Sequence, residues 1–311
     1  MALSEARRTA ADGAVAARAG ASAESLAPGT LTERDIDGGL ALSDAAGWNQ
    51  TGDDWALFIR HGRTIGLVDA AGRWVATAAA LPYGGERGYI SMVLVAEAWQ
   101  HRGLASRLLA DGVDHLRSAG RVPVLDATPA GAAVYQRSGF VSGFESDRWE
   151  RTVAPASKTG VVDAAADDTA RPAGTADLDA LARLDRDASG GLERRFLLEG
   201  FLSRPDTRAW RSGDGLGFVV ARAGRRATQI GPLVASGPAQ AAGLLDTAIE
   251  AASASGRPVF LDLPRAHRSL AERLERQGFV RQRSFVRMSL GATEAPRLGT
   301  GMFVLAGPEF G

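Results

Sequence analysis

Between Thr51 and Phe140 the chain alternates helical spacing of apolar residues with short apolar runs bounded by turn residues. Trp55, Phe58 and Ile59 fall at i, i+3 and i+4. Thr51 stands before them as an N-cap, with Asp53 and Asp54 in a first turn where acidic groups favour the helix dipole. Thr64 to Asp69 and Arg73 to Ala80 read as antiparallel strands around a turn at Ala70-Ala71-Gly72, and Gly88 to Val95 as a third strand. Gly103 to Ala119 is amphipathic, with Leu104, Leu108, Leu109, Val113 and Leu116 inward and Arg107, Asp111, Asp114 and Arg117 outward. Val122 to Ala127 predicts a short strand. Thr128 and Pro129 then supply an N-cap and an N1 proline for a helix ending near Ser138, Gly139 stops it, and Phe140 opens another strand. With Thr30 to Arg34 as the first strand, the order is β-α-α-β-β-β-α-β-α-β. That is a mixed sheet with helices on both faces, in the α+β class.

The pattern occurs twice. Gly120-Arg121-Val122-Pro123-Val124-Leu125-Asp126 returns as Gly256-Arg257-Pro258-Val259-Phe260-Leu261-Asp262, and Ser138-Gly139-Phe140-Val141 is echoed by Gln277-Gly278-Phe279-Val280. Two matches in one order, at nearly one separation, indicate two copies of one supersecondary unit. The join falls within Val153 to Thr175, a stretch rich in Ala, Asp, Thr, Pro and Gly. Residues 28–155 and 156–311 are therefore expected as two domains. Residues 1–27, with Glu5, Asp12 and Glu24 and no apolar h-region, read as a poorly ordered leader.

Composition narrows the chemistry. A chain of 311 residues, 45% hydrophobic and 23% charged, suits two ordinary globular domains. Lys+Arg and Asp+Glu are equal at 36 each, without the basic excess of a nucleic-acid binder. Cysteine is absent, which excludes disulfides, thiolate metal sites and cysteine nucleophiles. No apolar run approaches the ~18 residues of a membrane span. His61, His101, His115 and His267 lack metal-ligand spacing, so no metal is expected. The expectation is a cytoplasmic protein, monomer or homodimer.

The chemistry centres on Val93-Leu94-Val95-Ala96-Glu97-Ala98-Trp99-Gln100-His101-Arg102-Gly103-Leu104-Ala105-Ser106. A strand ends, a loop follows and a helix opens. Amides at a helix start point toward an anion, and Gly103 and Ala105 let a pyrophosphate approach the backbone. A tight strand-to-helix turn would use the same small residues. One strand further on stands Ala133-Val134-Tyr135-Gln136-Arg137-Ser138-Gly139-Phe140. A Q/R-x-x-G-x-G/A loop followed by Tyr-x-x-x-Gly-Phe resembles the GNAT (GCN5-related N-acetyltransferase) superfamily over roughly Leu40 to Arg151. Glu97 stands where the family usually has proline, and Ala105 where it has the second glycine. The duplicated plan is also similar to the tandem, YitH-like acetyltransferases, whose second copy is degenerate.

The resemblance implies an acetyl-CoA-dependent N-acetyltransferase acting on a small-molecule amine or a lysine. Val93, Leu94 and Val95 would meet the pantetheine arm and acetyl carbonyl. Gln100, His101, Arg102, Gly103, Leu104, Ala105 and Ser106 would cradle the pyrophosphate. Thr128 would bond near the thioester or serve only as an N-cap, and Tyr135 would protonate the leaving thiolate. The general base stays open among Glu86, Asp126 and Glu145. Trp48, Trp55 and Trp99 are candidates for a pocket wall, with Trp55 better suited to the core. In copy two Leu274 stands in place of Tyr135, and Leu233 to Gly243 lacks the loop pattern. Copy two should thus pack against copy one and shape the acceptor cleft without binding CoA, whereas Asp126 and Asp262, shared by both, should be structural. The rival class is a non-catalytic acyl-CoA sensor; a dinucleotide site is disfavoured by the missing G-x-G-x-x-G.

Overall fold

The computed structural model describes residues 26–152, 170–292 and 294–311. Residues 1–25 of the expected leader and 153–169 of the expected join lie outside the described residues. The first copy comprises β1 (Ala27–Thr30), α1 (Ile36–Ala45), α2 (Gly52–His61), β2 (Arg63–Val68), β3 (Trp74–Leu81), β4 (Arg87–Val95), α3 (Leu104–Ser118), β5 (Val122–Ala127), α4 (Pro129–Arg137) and β6 (Phe140–Arg151). The second repeats it: β7 (Arg171–Ala173), α5 (Leu178–Ala188), α6 (Arg195–Leu202), β8 (Arg208–Arg211), β9 (Phe218–Ala223), β10 (Thr228–Val234), α7 (Pro238–Ser253), β11 (Val259–Pro264), α8 (Arg268–Arg276), β12 (Val280–Leu290) and, additionally, β13 (Met302–Val304).

Two boundaries differ from expectation. The first strand is Ala27–Thr30, paired from Ala27↔Val68 to Thr30↔Ile65, rather than Thr30 to Arg34. Thr32 ends it, because the Asp35 carboxylate accepts the Thr32 N–H at 2.8 Å and fixes a short 3-10 turn over Glu33–Asp35. In the second copy β7 already begins at Arg171, inside the stretch expected to join the copies.

The copies do not merely pack side by side. One mixed sheet runs β1-β2-β3-β4-β5-β12-β6-β11-β10-β9-β8-β7, with β13 against β10. The last strands have changed places: β12 pairs antiparallel with β5 of the first copy, and β6 pairs with β11 of the second. Between them β6 and β12 pair with each other from Val280↔Glu150 to Leu290↔Phe140. Each copy thus completes the other's sheet. The core follows suit: Phe58 of α2 stacks on Phe310 at 4.8 Å, and Phe201 of α6 meets the same ring edge-on at 5.4 Å. All three rings are buried, so apolar burial holds the copies together as it would hold one domain.

Candidate active site

Strands β4 and β5 run parallel but pair at only three positions, ending at Tyr89↔Val124. Beyond that point β4 slips register against β3 between Thr77 and Ala79, and Met92 takes a φ of +52°. This is a β-bulge, stabilised where Thr77 Oγ1 donates to the Met92 carbonyl at 3.0 Å. The bulge bends β4 away from β5. A cleft opens between them, bordered on β4 by Ile90, Ser91, Met92 and Val93; Leu94 and Val95 do not line it.

The loop after β4 is braced by its own side chains. The Trp99 ring is buried against Leu104 and Leu108, and the Arg102 guanidinium lies 4.9 Å above it while donating to the Ala98 carbonyl at 3.1 Å. Gln100 Nε2 donates to the Val95 carbonyl at 3.2 Å. His101 and Gly103 both adopt left-handed backbone, at φ +62° and +75°. Helix α3 then starts: the first bond that Gly103 accepts comes from the Arg107 N–H at 3.1 Å. The N–H groups of Leu104, Ala105 and Ser106 have no carbonyl one turn earlier to donate to. Leu104 is buried in the core, so only its backbone can serve a ligand. A Cβ placed on Gly103 meets nothing within 4 Å, so the space before these amides is open. Open space, paired left-handed residues and oriented amides fit a diphosphate.

Across the cleft, Thr128 and Tyr135 come from opposite ends of α4. Thr128 Oγ1 accepts the Gly131 N–H at 3.3 Å and so acts as the N-cap of α4, while the residue also borders the cavity. Tyr135 is half buried, its ring 6.0 Å from Phe140 and close over Gly131. Burial pushes its phenol above the ordinary tyrosine range, so it holds its proton at neutral pH. Among the described residues nothing hydrogen-bonds to that hydroxyl.

A cavity of about 140 Å³ lies between β4 and α4, with Met92 and Val93 on one wall and Thr128 and Tyr135 on another. Sequence reading offered Trp48 and Asp126 as candidates and missed Gln50, Arg148, Arg283, Phe285 and Glu309. Trp48 and Gln50 enter from the turn between α1 and α2, Arg148 from β6, Arg283 and Phe285 from β12, and Glu309 from the segment after β13. The stretch Ala306 to Gly311 offered the only signal, a Gly-Pro-Glu-Phe-Gly run outside every predicted element. It is threaded under the first copy, where Tyr83 donates to the Phe310 carbonyl at 2.9 Å and Tyr89 to the Pro308 carbonyl at 3.2 Å.

The carboxylates expected near the cleft sort differently. Glu86 is exposed and does not border the cavity. Glu145 is exposed and ion-paired with Arg265. Asp126 does border it, but Arg287 grips both its oxygens, at 2.5 and 2.9 Å. Glu309 is the carboxylate that sequence reading overlooked. It is buried, accepts from Arg222 Nη2 at 3.0 Å, and burial raises its pKa against the opposing pull of Arg222 and Arg148. Of the three tryptophans, Trp48 borders the cavity, whereas Trp55 and Trp99 are core residues.

The second copy has the corresponding opening, and the chain itself fills it. Strand β10 pairs with β11 only from Thr228↔Val259 to Ile230↔Leu261. Past that point β13 lies against β10, and the Leu305 N–H donates to the Asp262 carbonyl of β11 at 3.0 Å. A Cβ on Gly231 would run into the Leu305 carbonyl. Among the described residues no group of three or more His, Asp or Glu could hold a metal ion. None of their helices is long and apolar enough to cross a membrane.

Two family descriptions match the chain: "Acetyltransferase (GNAT) family" over residues 40–140 and "Acetyltransferase (GNAT) domain" over residues 181–303. A comparison with curated proteins gives no match. Among solved structures, one from Pyrococcus horikoshii, provisionally described as an acetyltransferase, is 18% identical with a TM-score of 0.75, covering 94% of this chain and 98% of its own. A tandem GNAT protein from the clavulanic acid biosynthesis pathway is 16% identical with a TM-score of 0.64, covering 86% and 100%. A GCN5-related N-acetyltransferase from Kribbella flavida is 21% identical with a TM-score of 0.54, covering 86% and 72%. At these identities the structural likeness speaks for the fold, and function must be argued from the site.

Proposed function

We propose that this chain, which belongs in both halves to the GNAT superfamily, moves an acetyl group from acetyl-CoA to an amine with its first copy. Acyl transfer is the business of the fold. One observation supports the finer reading: β4 stops pairing with β5 at Tyr89, and beyond that point Met92 and Val93 border the same cavity as Thr128 and Tyr135, on the strand that leads into the loop before α3. In this reading the amides of Leu104, Ala105 and Ser106 receive the diphosphate, with the backbone of Gln100 to Gly103 shaping the loop around it. Gln100 and Arg102 act on the loop, through the bonds to Val95 and Ala98, more than on the ligand. The edge of β4 at Val93 to Val95 takes the pantetheine arm.

The amine nitrogen attacks the thioester carbonyl carbon, the carbon–sulfur bond breaks, and Tyr135 passes its proton to the departing sulfur. The proton lost by the amine goes to a carboxylate or water in the cavity, and solvent restores the tyrosine. Thr128 positions α4 as its cap. The second copy holds no CoA of its own, since β13 occupies the equivalent opening. The acceptor is a small-molecule amine or a lysine, the enzyme works in the cytoplasm as a monomer or homodimer, and no metal takes part. Calorimetric titration with acetyl-CoA tests this: one site per chain is expected, two would refute the reading of the second copy, and none would refute the whole. Binding without release of free thiol over a broad amine panel would mark a sensor instead of an enzyme.

A further inference from the structure

Three residues that line the cavity each carry a buried polar side-chain atom with no hydrogen-bond partner among the described residues. Gln50 Oε1, Ser91 Oγ and Glu309 Oε2 make no hydrogen bond among the described residues, on residues only 3%, 8% and 6% exposed. All three residues line the cavity that Thr128 and Tyr135 also border. An unpaired buried polar atom has lost its hydration without gaining a bond, so a fold tolerates three around one cavity poorly unless something else satisfies them. The amide oxygen of Gln50 and the carboxylate oxygen of Glu309 accept only, and the Ser91 hydroxyl can accept as well. Such a set calls for a ligand with several N–H groups.

Charge supplies the other half. Asp126, Arg148 and Glu309 each have a partner, Arg287, Asp262 and Arg222 respectively. Arg283 is the exception. It is half buried, its Nε donates to the neutral Gln282 Oε1 at 3.2 Å, and it forms no ion pair among the described residues. Burial, and then the adjacent charge of Arg148, disfavour its cationic form. An anion beside it would relieve both.

Resting on the acetyl-transfer reading, we propose that the acceptor is an aminocarboxylate, its amine met by Gln50, Ser91 and Glu309 and its carboxylate by the Arg283 guanidinium. A planar fork of N–H donors matches a carboxylate in geometry as well as charge. Glu309 Oε2 takes the proton that the ammonium loses; the freed nitrogen lone pair then forms the new bond to the acetyl carbon as the carbon–sulfur bond breaks. Burial brings the Glu309 carboxyl closer to the range of a working base. The subsite belongs to both copies: Ser91 comes from β4, Arg283 from β12 and Glu309 from the segment after β13.

The test uses the whole protein with a panel of standard amino acids, the amines left when each is decarboxylated, and phosphoethanolamine. Binding is followed calorimetrically with and without CoA, and transfer by thiol release. At least one amino acid should bind tenfold or more tighter than its decarboxylated partner. Arg283→Gln should close that gap by weakening the amino acid and leaving the amine unchanged. Glu309→Gln, nearly isosteric, should lower kcat while acetyl-CoA affinity stays within twofold. Equal binding of every matched pair, a preference for phosphoethanolamine, or an unaltered gap in Arg283→Gln would overturn the proposal. An amino acid that binds through Arg283 to a protein with no affinity for acetyl-CoA would leave the subsite standing and refute the acetyl-transfer reading alone.

Discussion

Asp126 and Asp262, equivalent residues of the two copies, each hold an arginine that arrives from the other copy's last strand. Arg287 of β12 pairs with Asp126, and Arg148 of β6 with Asp262 at 2.8 and 3.0 Å. In both cases the two residues are also direct partners in the strand register. The ion pairs therefore sit where strand exchange occurs, one for each direction of exchange. Both are almost fully buried.

Removing one member strands its partner. Asp262→Ala should lower unfolding free energy by about 3–5 kcal/mol, because Arg148 is left charged and buried. Replacing both with apolar residues of similar volume should cost much less. Denaturant unfolding of the single and double variants decides this; equal losses would mean that the charges do not communicate.

Neither copy should fold alone. A fragment ending at residue 152 lacks β12 and keeps β6, a strand whose two neighbours in the sheet both belong to the other copy. Fragments 26–152 and 170–311 should be insoluble when expressed singly and recover solubility when expressed together. Two independently soluble, folded fragments would show that the exchanged strands are dispensable.

Gly103 tests the diphosphate loop. At φ +75° any Cβ is strained, although space is open, and a β-branched residue suffers most. Gly103→Val should let the loop relax and weaken acetyl-CoA binding tenfold or more, consistent with roughly 1–3 kcal/mol of backbone strain. Gly103→Asn, which tolerates left-handed backbone, should bind within about threefold of the parent. If both variants bound alike, the left-handed geometry would be irrelevant to the ligand.

Tyr135→Phe keeps the ring that packs on Phe140 and removes the proton. It should reduce kcat by about 10²-fold or more and leave acetyl-CoA affinity within twofold. Unchanged kcat would discard the general-acid role.

His267 provides a pH signature of stability. Its ring stacks on Phe303 at 4.4 Å and its Nε2 lies 2.8 Å from the Met302 carbonyl, which fixes β13. Burial lowers its pKa below the ordinary 6.5, against the opposing effect of that bond. The unfolded chain thus takes up a proton at a higher pH than the folded chain does. Stability contributed by the neutral ring is fully present above 6.5 and is lost as pH falls from there through the lower folded value. His61 and His115 shift in the same direction, so part of the loss remains when His267 is replaced. Denaturant midpoints at pH 7.5 and 6 should drop in the parent and drop less in His267→Gln; identical drops would exclude His267.

The chain's own order of residues determined nearly every element of the first copy, because helix caps, apolar periodicity and turn residues act within a few positions. Thr51 makes its capping box with Asp54, and Gly139 ends α4 at φ +87°, as their local chemistry demands. The strand end and helix start around Gln100 to Ser106, and the short helix that carries Tyr135, were legible for the same reason: each is set by residues a few positions apart. The shared aspartates could be read as structural, though not what they hold. Tertiary structure alone decided that β6 and β12 cross over, that Glu309 and Arg283 reach the first copy's cavity, and that β13 closes the second copy's opening. Residues 91, 283 and 309 meet through backbone pairing and burial across the whole chain, and no local pattern encodes a contact whose free energy depends on both copies being folded.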